Sequence, residues 1–181
     1  REMRIPLQQL TGVQEFMGLE FQVNEHVLIP RQDTETLVEL VLSEHKEKNI
    51  SLLDVCTGSG CIAISLAKLG GYTDVTALDL SEEALKVARS NGEKLLDQPV
   101  NFIKSDMFSA LDPEKQYDVI VSNPPYIPSQ VIEGLEPEVK DHEPRMALDG
   151  EPDGLKFYRI LAEEGKKYLK NGGSIYMEIG W

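Results

Sequence analysis

Residues 52–67 read LLDVCTGSGCIAISLA, and this stretch sets the fold class. The apolar residues on both sides of Asp54 are typical of a buried strand. A short loop with Gly58 and Gly60 follows, and the apolar residues from Ile62 onward have the spacing of a helix. A strand, a glycine-rich turn and a helix in this order open many ligand-binding α/β domains. The stretch therefore predicts an α/β fold with a ligand at the turn.

The rest of the chain continues this alternation of strands and helices. Further strands are predicted over residues 75–78, 101–103, 117–122 and 174–179. Helices are predicted after the capping residues Asp33 and Thr34, after Ser81, and over residues 157–169, with a helix stop at 170–173. Residues 19–29 alternate apolar and polar side chains, which predicts a hairpin strand. Together these elements predict a doubly wound parallel sheet, the Rossmann-like arrangement.

Composition limits the class of protein. The chain has 181 residues, of which 41% are hydrophobic and 27% charged, as in one globular domain. No apolar run approaches the roughly 20 residues of a bilayer span, so we expect no membrane association. Eighteen basic and 31 acidic residues give a net charge of −13, which disfavours nucleic acid as a partner. Two cysteines, Cys56 and Cys61, are too few for a zinc site or a disulfide framework, so we predict a reduced, cytoplasmic protein without a metal site.

The glycine loop predicts a cofactor site. Glycines let the loop backbone approach a ligand, and the N-terminus of the following helix offers free N–H donors. Asp79 ends the next predicted strand, where its carboxylate can accept hydrogen bonds from both hydroxyls of a ribose. Gly58, Gly60 and Ala63 match the dinucleotide pattern G-x-G-x-x-G/A of NAD enzymes. A methyltransferase would instead place the methionine end of S-adenosylmethionine at the same loop, above Asp54.

Residues 119–128, VIVSNPPYIP, favour the methyl donor. A rigid Asn-Pro-Pro-Tyr turn follows a buried strand, and its two prolines fix two φ angles. The side-chain oxygen of Asn123 and the carbonyl oxygen of Pro124 are two adjacent acceptors, which fit one NH₂ group with two hydrogens to donate. Tyr126 adds an aromatic surface for a planar amide or base. The turn predicts methyl transfer to an NH₂ nitrogen, which needs orientation more than a strong general base.

Four segments together carry a resemblance to one enzyme family. They are VLIPRQDTE at 27–35, DVCTGSGCIA at 54–63, NPPY at 123–126 and EPRMALDGEPDGLKFYR at 143–159. With them the chain resembles the protein-(glutamine-N5) methyltransferases over roughly residues 10–181. The resemblance implies a class I S-adenosylmethionine-dependent methyltransferase fold. It also implies methylation of the glutamine in the GGQ motif of class I peptide-chain release factors.

The resemblance implies roles for individual residues. Those expected to bind the cofactor are Cys56, Thr57, Gly58, Ser59, Gly60, Asp79, Met107 and Asn123. The glutamine amide would be bound by Asn123, Pro124, Pro125 and Tyr126, with Asn123, Pro124 and Tyr126 as the catalytic residues. The family usually has glycine at the position of Cys56 and bulkier residues around Met107. Thr34 and Glu35 are helix caps by default and would line the site if the resemblance holds.

We divide the chain into an N-terminal linker and β-hairpin, residues 1–30, and a methyltransferase catalytic domain, residues 31–181. The resemblance implies an N-terminal helical domain and two further strands that this chain does not contain, so we expect a catalytic domain truncated at both ends. The acidic segment 133–154 is a solvated loop by composition, and by resemblance a lid or substrate wall for a basic partner surface.

Other functions use the same features. The NPPY turn also occurs in DNA and RNA adenine N6 methyltransferases and in protein lysine methyltransferases. The sequence shows no basic face or target-recognition segment, which disfavours the nucleic-acid enzymes. A cofactor-binding module without activity is the alternative outside catalysis. A dinucleotide oxidoreductase is the weakest alternative, since the NPPY turn would have no role in it.

Overall fold

Five parallel strands form the central sheet of the protein. The structure is a computed structural model that describes residues 4–180. The strands, including a separate two-stranded hairpin, are β1 (Val13–Phe16), β2 (Leu19–Gln22), β3 (Ser51–Val55), β4 (Asp74–Asp79), β5 (Asn101–Lys104), β6 (Tyr117–Ser122) and β7 (Leu169–Met177). The helices are α1 (Leu7–Thr11), α2 (Gln32–Glu44), α3 (Cys61–Gly70), α4 (Glu82–Leu95), α5 (Ser129–Ile132), α6 (Pro137–Lys140), α7 (Arg145–Leu148) and α8 (Lys156–Glu164), with a 3₁₀ turn at Gly165–Tyr168. None of these helices has the length and apolar composition that a bilayer crossing requires.

The order of the strands creates the ligand crevice. The sheet runs β5-β4-β3-β6-β7, and all four neighbouring pairs are parallel. The chain moves outward from β3 to β5 and then returns to place β6 on the other side of β3. Strand order therefore reverses between β3 and β6, and ligands of such sheets bind at the carboxyl ends of the strands at this point. The doubly wound sheet predicted from the sequence is confirmed.

Apolar side chains pack on both faces of the sheet. Alternate residues of a strand point to opposite faces, so successive leucines of β3 enter different clusters. One cluster joins Leu52 to buried side chains of α2 and α3, among them Val41 and Ile64. The other joins Leu53 to Leu161 of α8. Each of these fully buried side chains contributes roughly 1.5–3 kcal/mol relative to an exposed one.

The helix predicted over residues 157–169 is shorter than expected. It ends at Glu164, and β7 begins at Leu169, within the predicted helix and before the predicted stop at 170–173. The reason is pairing with β6, in which Leu169 lies opposite Tyr117. A register shift and the left-handed backbone of Gly172, with φ of 83°, let this glycine-rich stretch continue as a strand. At its other end β7 stops at Met177 and does not reach residue 179.

The N-terminal hairpin also differs from the prediction. The strand expected over residues 19–29 is β2 alone, and its partner β1 has no clear sequence signal. Beyond Gln22 the chain leaves the strand because Val23 and Val27 pack against α4. Phe16 and Phe21 of the hairpin are fully buried in the same cluster as α2 and α3.

Two helix starts test the capping predictions. Ser81 caps α4 as predicted, with its hydroxyl oxygen accepting from the backbone N–H of Ala84 at 3.2 Å. The prediction for α2 is wrong, since this helix begins at Gln32 with Arg31 in the cap position. Asp33 and Thr34 lie in its first turn, where the Thr34 hydroxyl can take part in contacts outside the helix.

Candidate active site

A cavity of about 430 Å³ lies at the carboxyl ends of the central strands. Its walls come from parts of the chain that are distant in sequence. They include the loop after β3, the ends of β4 and β5, the turn after β6, the segment before α2 and the segment around α7. Apolar side chains make up much of the wall, including Met107 and Phe157. This combination of an apolar cavity and a few polar groups is typical of a small-molecule site.

The loop after β3 is held in a tight turn by backbone hydrogen bonds, one to β4 and one within the loop. The N–H of Thr57 donates to the carbonyl of Leu78 at 2.8 Å, and the N–H of Gly60 donates to the carbonyl of Thr57 at 2.9 Å. Gly60 has φ of 82°, and a Cβ there would lie 2.8 Å from Ile64 Cδ1. Glycine is therefore required at this position by backbone conformation and by space. Thr57, Gly58 and Ser59 line the cavity beside it.

The backbone at Cys56 has a conformation that favours glycine. Its φ is 63°, in the left-handed region that side chains other than glycine rarely adopt. Burial raises the pKa of the Cys56 thiol, so the sulfur remains protonated and serves as an apolar contact. Its Sγ lies 3.9 Å from Met107 Sδ. Met107 also has a positive φ, of 48°, and both residues line the cavity.

Asp54 lies beneath the loop and supports it. Its Oδ2 accepts from the Thr57 hydroxyl at 2.6 Å and from the N–H of Ala63 at 3.2 Å. The residue is fully buried, and its Oδ1 has no hydrogen-bond partner among residues 4–180. Burial raises the pKa of Asp54 to about 7, against the lowering effect of these two donors. Asp54 therefore shapes the loop from below and is not part of the cavity wall.

Asp79 lies in the cavity wall at the end of β4. Its Oδ2 accepts from the N–H of Gly58 at 2.8 Å, and its Oδ1 accepts from the N–H of Ser81 at 2.9 Å. Burial raises its pKa, and hydrogen bonds from backbone N–H groups oppose that effect. Each carboxylate oxygen can accept more than one hydrogen bond, so both retain capacity for a ligand hydroxyl. This arrangement can hold a ribose.

Asn123 lines the same cavity as Asp79, at the end of β6. Its side-chain Nδ2 donates to the hydroxyl oxygen of Thr34 at 3.3 Å, which leaves Oδ1 as the acceptor available to a ligand. Asn123, Pro125 and Thr34 line the cavity. Pro124 is buried, and neither it nor Tyr126 is part of the cavity wall. The structure thus brings the glycine loop, Asp79, Met107 and Asn123 around one cavity, with Tyr126 outside its wall.

The sequence comparisons agree with this geometry. The family model for the methyltransferase small domain matches residues 32–134. The chain belongs to this family. It is 46% identical over 176 residues to the release factor glutamine methyltransferase of Streptococcus pneumoniae, covering 97% of this chain and 62% of that protein. It is 43% identical over 180 residues to the release factor glutamine methyltransferase of Geobacter sulfurreducens, covering 99% of this chain and 62% of that protein. The resemblance drawn from the four segments is confirmed, and the chain spans less than two thirds of these relatives.

Solved structures support the fold. A methyltransferase from Pyrococcus furiosus superposes with a TM-score of 0.65 at 22% identity, covering 98% of this chain and 77% of that one. A SAM-dependent methyltransferase from Agrobacterium tumefaciens superposes with a TM-score of 0.62 at 16% identity, covering 91% of this chain and 51% of that one. The class I methyltransferase fold predicted from the resemblance is therefore confirmed for this member of the family.

Glu178 lies beside the NPPY turn, outside the cavity wall, and is not among the site residues predicted from the sequence. It follows β7 and accepts hydrogen bonds from Thr34 and from Tyr126. An acidic residue directly after a strand is a usable signal, since a similar signal identifies Asp79. Thr34 lines the site as the resemblance implied, but Glu35 does not. The Oε1 of Glu35 accepts from the N–H of Met17 at 2.6 Å and fixes the turn of the hairpin to α2.

A contact between Arg31 and Glu143, not predicted from the sequence, joins two of the segments that carry the resemblance. The Arg31 guanidinium donates to Oε1 of Glu143 at 2.5 Å, and the Glu143 side chain is only 1% exposed. Burial raises the pKa of Glu143, and the positive charge of Arg31 opposes this. Since Arg31 precedes α2 and Glu143 precedes α7, the pair holds these two cavity walls together.

The acidic segment 133–154 does not present the bare negative face that its composition suggests. Its acidic side chains form ion pairs with Arg4, Arg31, Arg145, Lys156 and Arg159. Those that are paired are Glu133, Glu136, Glu138, Glu143, Asp149, Glu151 and Asp153. The segment therefore contributes packing and shape to the cavity wall, and much of its charge is compensated within the chain.

Proposed function

We propose that this protein transfers a methyl group from S-adenosylmethionine to the side-chain N5 of the glutamine in the GGQ motif of class I peptide-chain release factors, in the cytoplasm. The observation that carries the proposal is the position of Asn123. Its amide oxygen is available to a ligand in the same cavity that the glycine loop and Asp79 line. The names of the relatives supply the substrate, since both are release factor glutamine methyltransferases.

The residues present fit the methyl donor. The turn at Cys56–Gly60 would hold the methionine portion, and Asp79 would accept hydrogen bonds from the ribose hydroxyls. The apolar wall at Met107 would lie against the adenine. When bound, S-adenosylmethionine supplies an electrophilic methyl group on a sulfonium, so no covalent enzyme intermediate is required. The net charge of −13 also favours a protein substrate over a nucleic acid.

On the acceptor side, residues of this chain would orient the amide of the substrate glutamine. Asn123 Oδ1 would accept a hydrogen of the glutamine NH₂, which turns its nitrogen lone pair towards the methyl group. Holding reacting atoms in near-attack geometry can contribute about 7–11 kcal/mol to lowering the barrier. The proton leaves the nitrogen after methyl transfer, when that nitrogen is cationic and acidic. The site therefore needs fixed acceptors and does not need a histidine base.

Binding and transfer assays test this proposal together. Calorimetric titration with S-adenosylmethionine should give binding, and titration with NAD should give none. Transfer of a labelled methyl group from S-adenosylmethionine is then measured to three acceptors: a class I release factor, the same factor with its GGQ glutamine changed to glutamate, and adenine-containing DNA. We expect label only on the unmodified release factor. Label on DNA would support an adenine methyltransferase, and binding of NAD alone would overturn the methyltransferase assignment.

A further inference from the structure

Glu178 is fixed at the end of β7 by its own backbone. Its N–H donates to the carbonyl of Ser122 at 3.0 Å, and its carbonyl accepts from the Tyr158 hydroxyl at 2.9 Å. The side chain is thus held beside the NPPY turn, although it is half-buried and is not part of the cavity wall. Glu178 would contact neither cofactor nor substrate in this arrangement. Any effect of Glu178 on the reaction has to act through another residue.

The two oxygens of Glu178 are linked to the first and last residues of the NPPY turn, one by way of Thr34 and one directly. Oε2 accepts from the Thr34 hydroxyl at 2.6 Å, and Thr34 in turn accepts from Nδ2 of Asn123 at 3.3 Å. Oε1 accepts from the Tyr126 hydroxyl at 3.2 Å. Burial raises the pKa of Tyr126 to about 12, and the neighbouring charge of Glu178 acts in the same direction, so Tyr126 remains a donor. The Glu178 carboxylate therefore contacts Tyr126 directly and reaches Asn123 by way of the Thr34 hydroxyl.

The direction of these hydrogen bonds decides which end of the Asn123 amide faces the cavity. A hydroxyl has only one hydrogen, and an ionised carboxylate can only accept. Because Thr34 gives its hydrogen to Glu178, its oxygen can only accept from Asn123. Asn123 must then turn its NH₂ towards Thr34 and its oxygen towards the cavity. Without this constraint, the amide of Asn123 could rotate by a half turn and present donors in place of an acceptor.

We infer that Glu178 is a positioning residue which, through the Thr34 hydroxyl, fixes the orientation of the Asn123 amide and makes the site select an amide acceptor over a carboxylate. The inference deepens the proposed function and rests on it for the identity of the acceptor. A cavity-facing oxygen at Asn123 attracts the NH₂ of glutamine and repels the carboxylate of glutamate. A cavity-facing NH₂ would reverse this preference.

The decisive variant is Glu178→Met, which nearly keeps the length of the side chain and removes both acceptor oxygens. Without a carboxylate to accept its hydrogen, the Thr34 hydroxyl could donate to Oδ1 of Asn123 and turn that amide over. The measured quantity is the ratio of dissociation constants for two peptides, one with Gly-Gly-Gln and one with Gly-Gly-Glu, in the presence of S-adenosylhomocysteine. We expect the preference for the glutamine peptide to fall at least tenfold, and kcat for methylation of that peptide to fall with it.

Matched variants separate orientation from a general structural effect. Thr34→Val removes the relay hydroxyl and should lose the preference, whereas Thr34→Ser keeps the hydroxyl and should retain it. Tyr126→Phe removes only the second hydrogen bond to Glu178, so it should leave the peptide preference unchanged even if turnover falls. Glu35→Gln, one residue from Thr34 on the same helix but bonded to Met17, should keep activity and preference within about twofold of the parent.

The outcomes distinguish this inference from the proposed function. An unchanged peptide preference in Glu178→Met, with reduced turnover, would make Glu178 merely structural and overturn the inference. If Glu178→Met does not fold, the same preference measured in Thr34→Val decides the question. A parent that transfers no methyl group to a class I release factor overturns the proposed function. In that case, the parent's binding preference and its loss in Thr34→Val still show whether the relay orients Asn123.

Discussion

The loop after β3 and the turn after β6 line one cavity, yet contacts of different range hold them. The loop is fixed within one β-α-β unit, where the partners Gly58 and Asp79 are only 21 residues apart. The turn depends on side chains from distant segments, with 89 residues between Asn123 and Thr34 and 144 between Thr34 and Glu178. The half proposed to bind the cofactor is thus a local structure, whereas the half proposed to bind the acceptor exists only when the whole domain is folded.

The two halves should therefore respond differently to mutation. Damage to the loop should weaken cofactor binding, because the loop and Asp79 form the surface against which the cofactor would lie. Damage on the acceptor side should leave the cofactor bound and lower turnover. Substitutions in each half of the cavity test this separation.

Asn123→Ala should cut turnover most. Removing one preorganised polar group from a reacting centre typically costs about 10²–10³ in kcat, or about 2.7–4 kcal/mol. Because Asn123 lies on the acceptor side, the dissociation constant for S-adenosylmethionine should change by no more than a few-fold. Single-turnover methylation and calorimetry on the same variant measure the two quantities. Turnover equal to that of the parent would remove Asn123 from its role at the acceptor.

Asp79→Ala should show the opposite pattern. Loss of a charge-assisted hydrogen bond to the ribose should weaken binding of S-adenosylmethionine by about 1.5–3 kcal/mol. Turnover at saturating cofactor should fall much less, since Asp79 would not contact the acceptor amide. Calorimetry gives the affinity, and an initial-rate series in cofactor gives KM and kcat. An affinity equal to that of the parent would mean that the ribose is held elsewhere.

Gly60→Ala and Gly58→Ala form a matched pair within the loop. Both positions have a left-handed backbone, with φ of 82° and 55°, so alanine is strained at each. Only at Gly60 would the new Cβ also meet side chains, at 2.8 Å from Ile64 and 3.2 Å from Ala88. We expect Gly60→Ala to lower the free energy of unfolding by about 1–3 kcal/mol more than Gly58→Ala. Urea denaturation measures both, and equal losses would show that strain alone sets the requirement for glycine.

Asp54→Asn should change the pH dependence of stability. The folded-state pKa of Asp54 is raised to about 7, so folding favours its neutral form. That contribution to stability is fully present below the unfolded pKa near 3.8 and is lost as pH rises through about 7. Asparagine has no titratable group, so the variant does not lose stability in this way as the pH rises. The free energy of unfolding of the variant relative to the parent should therefore rise by roughly 2–3 kcal/mol between pH 5 and pH 8. A difference independent of pH would mean that Asp54 is ionised in the folded protein even at pH 5.

Local patterns in the sequence account for the parallel sheet, the glycine loop, Asp79 and the NPPY turn. Each of these is a run of neighbouring residues whose geometry follows from strand periodicity, glycine conformation or proline rigidity. The helix stop predicted at 170–173 is wrong, because the pairing of this stretch with β6, a contact between distant segments, outweighs the local sequence signal.

The way the acceptor side is held follows from the tertiary structure alone. Thr34 lies in the site and Glu35 outside it, although both stand in the same helix turn. Glu178 reaches Thr34 and Tyr126, and Arg31 reaches Glu143. Such partners share no spacing in the sequence, because the contact between them forms only when sheet order and strand register place distant segments side by side. The glycine loop and Asp79 are therefore determined by local sequence, whereas the orientation of the Asn123 amide depends on the folded chain.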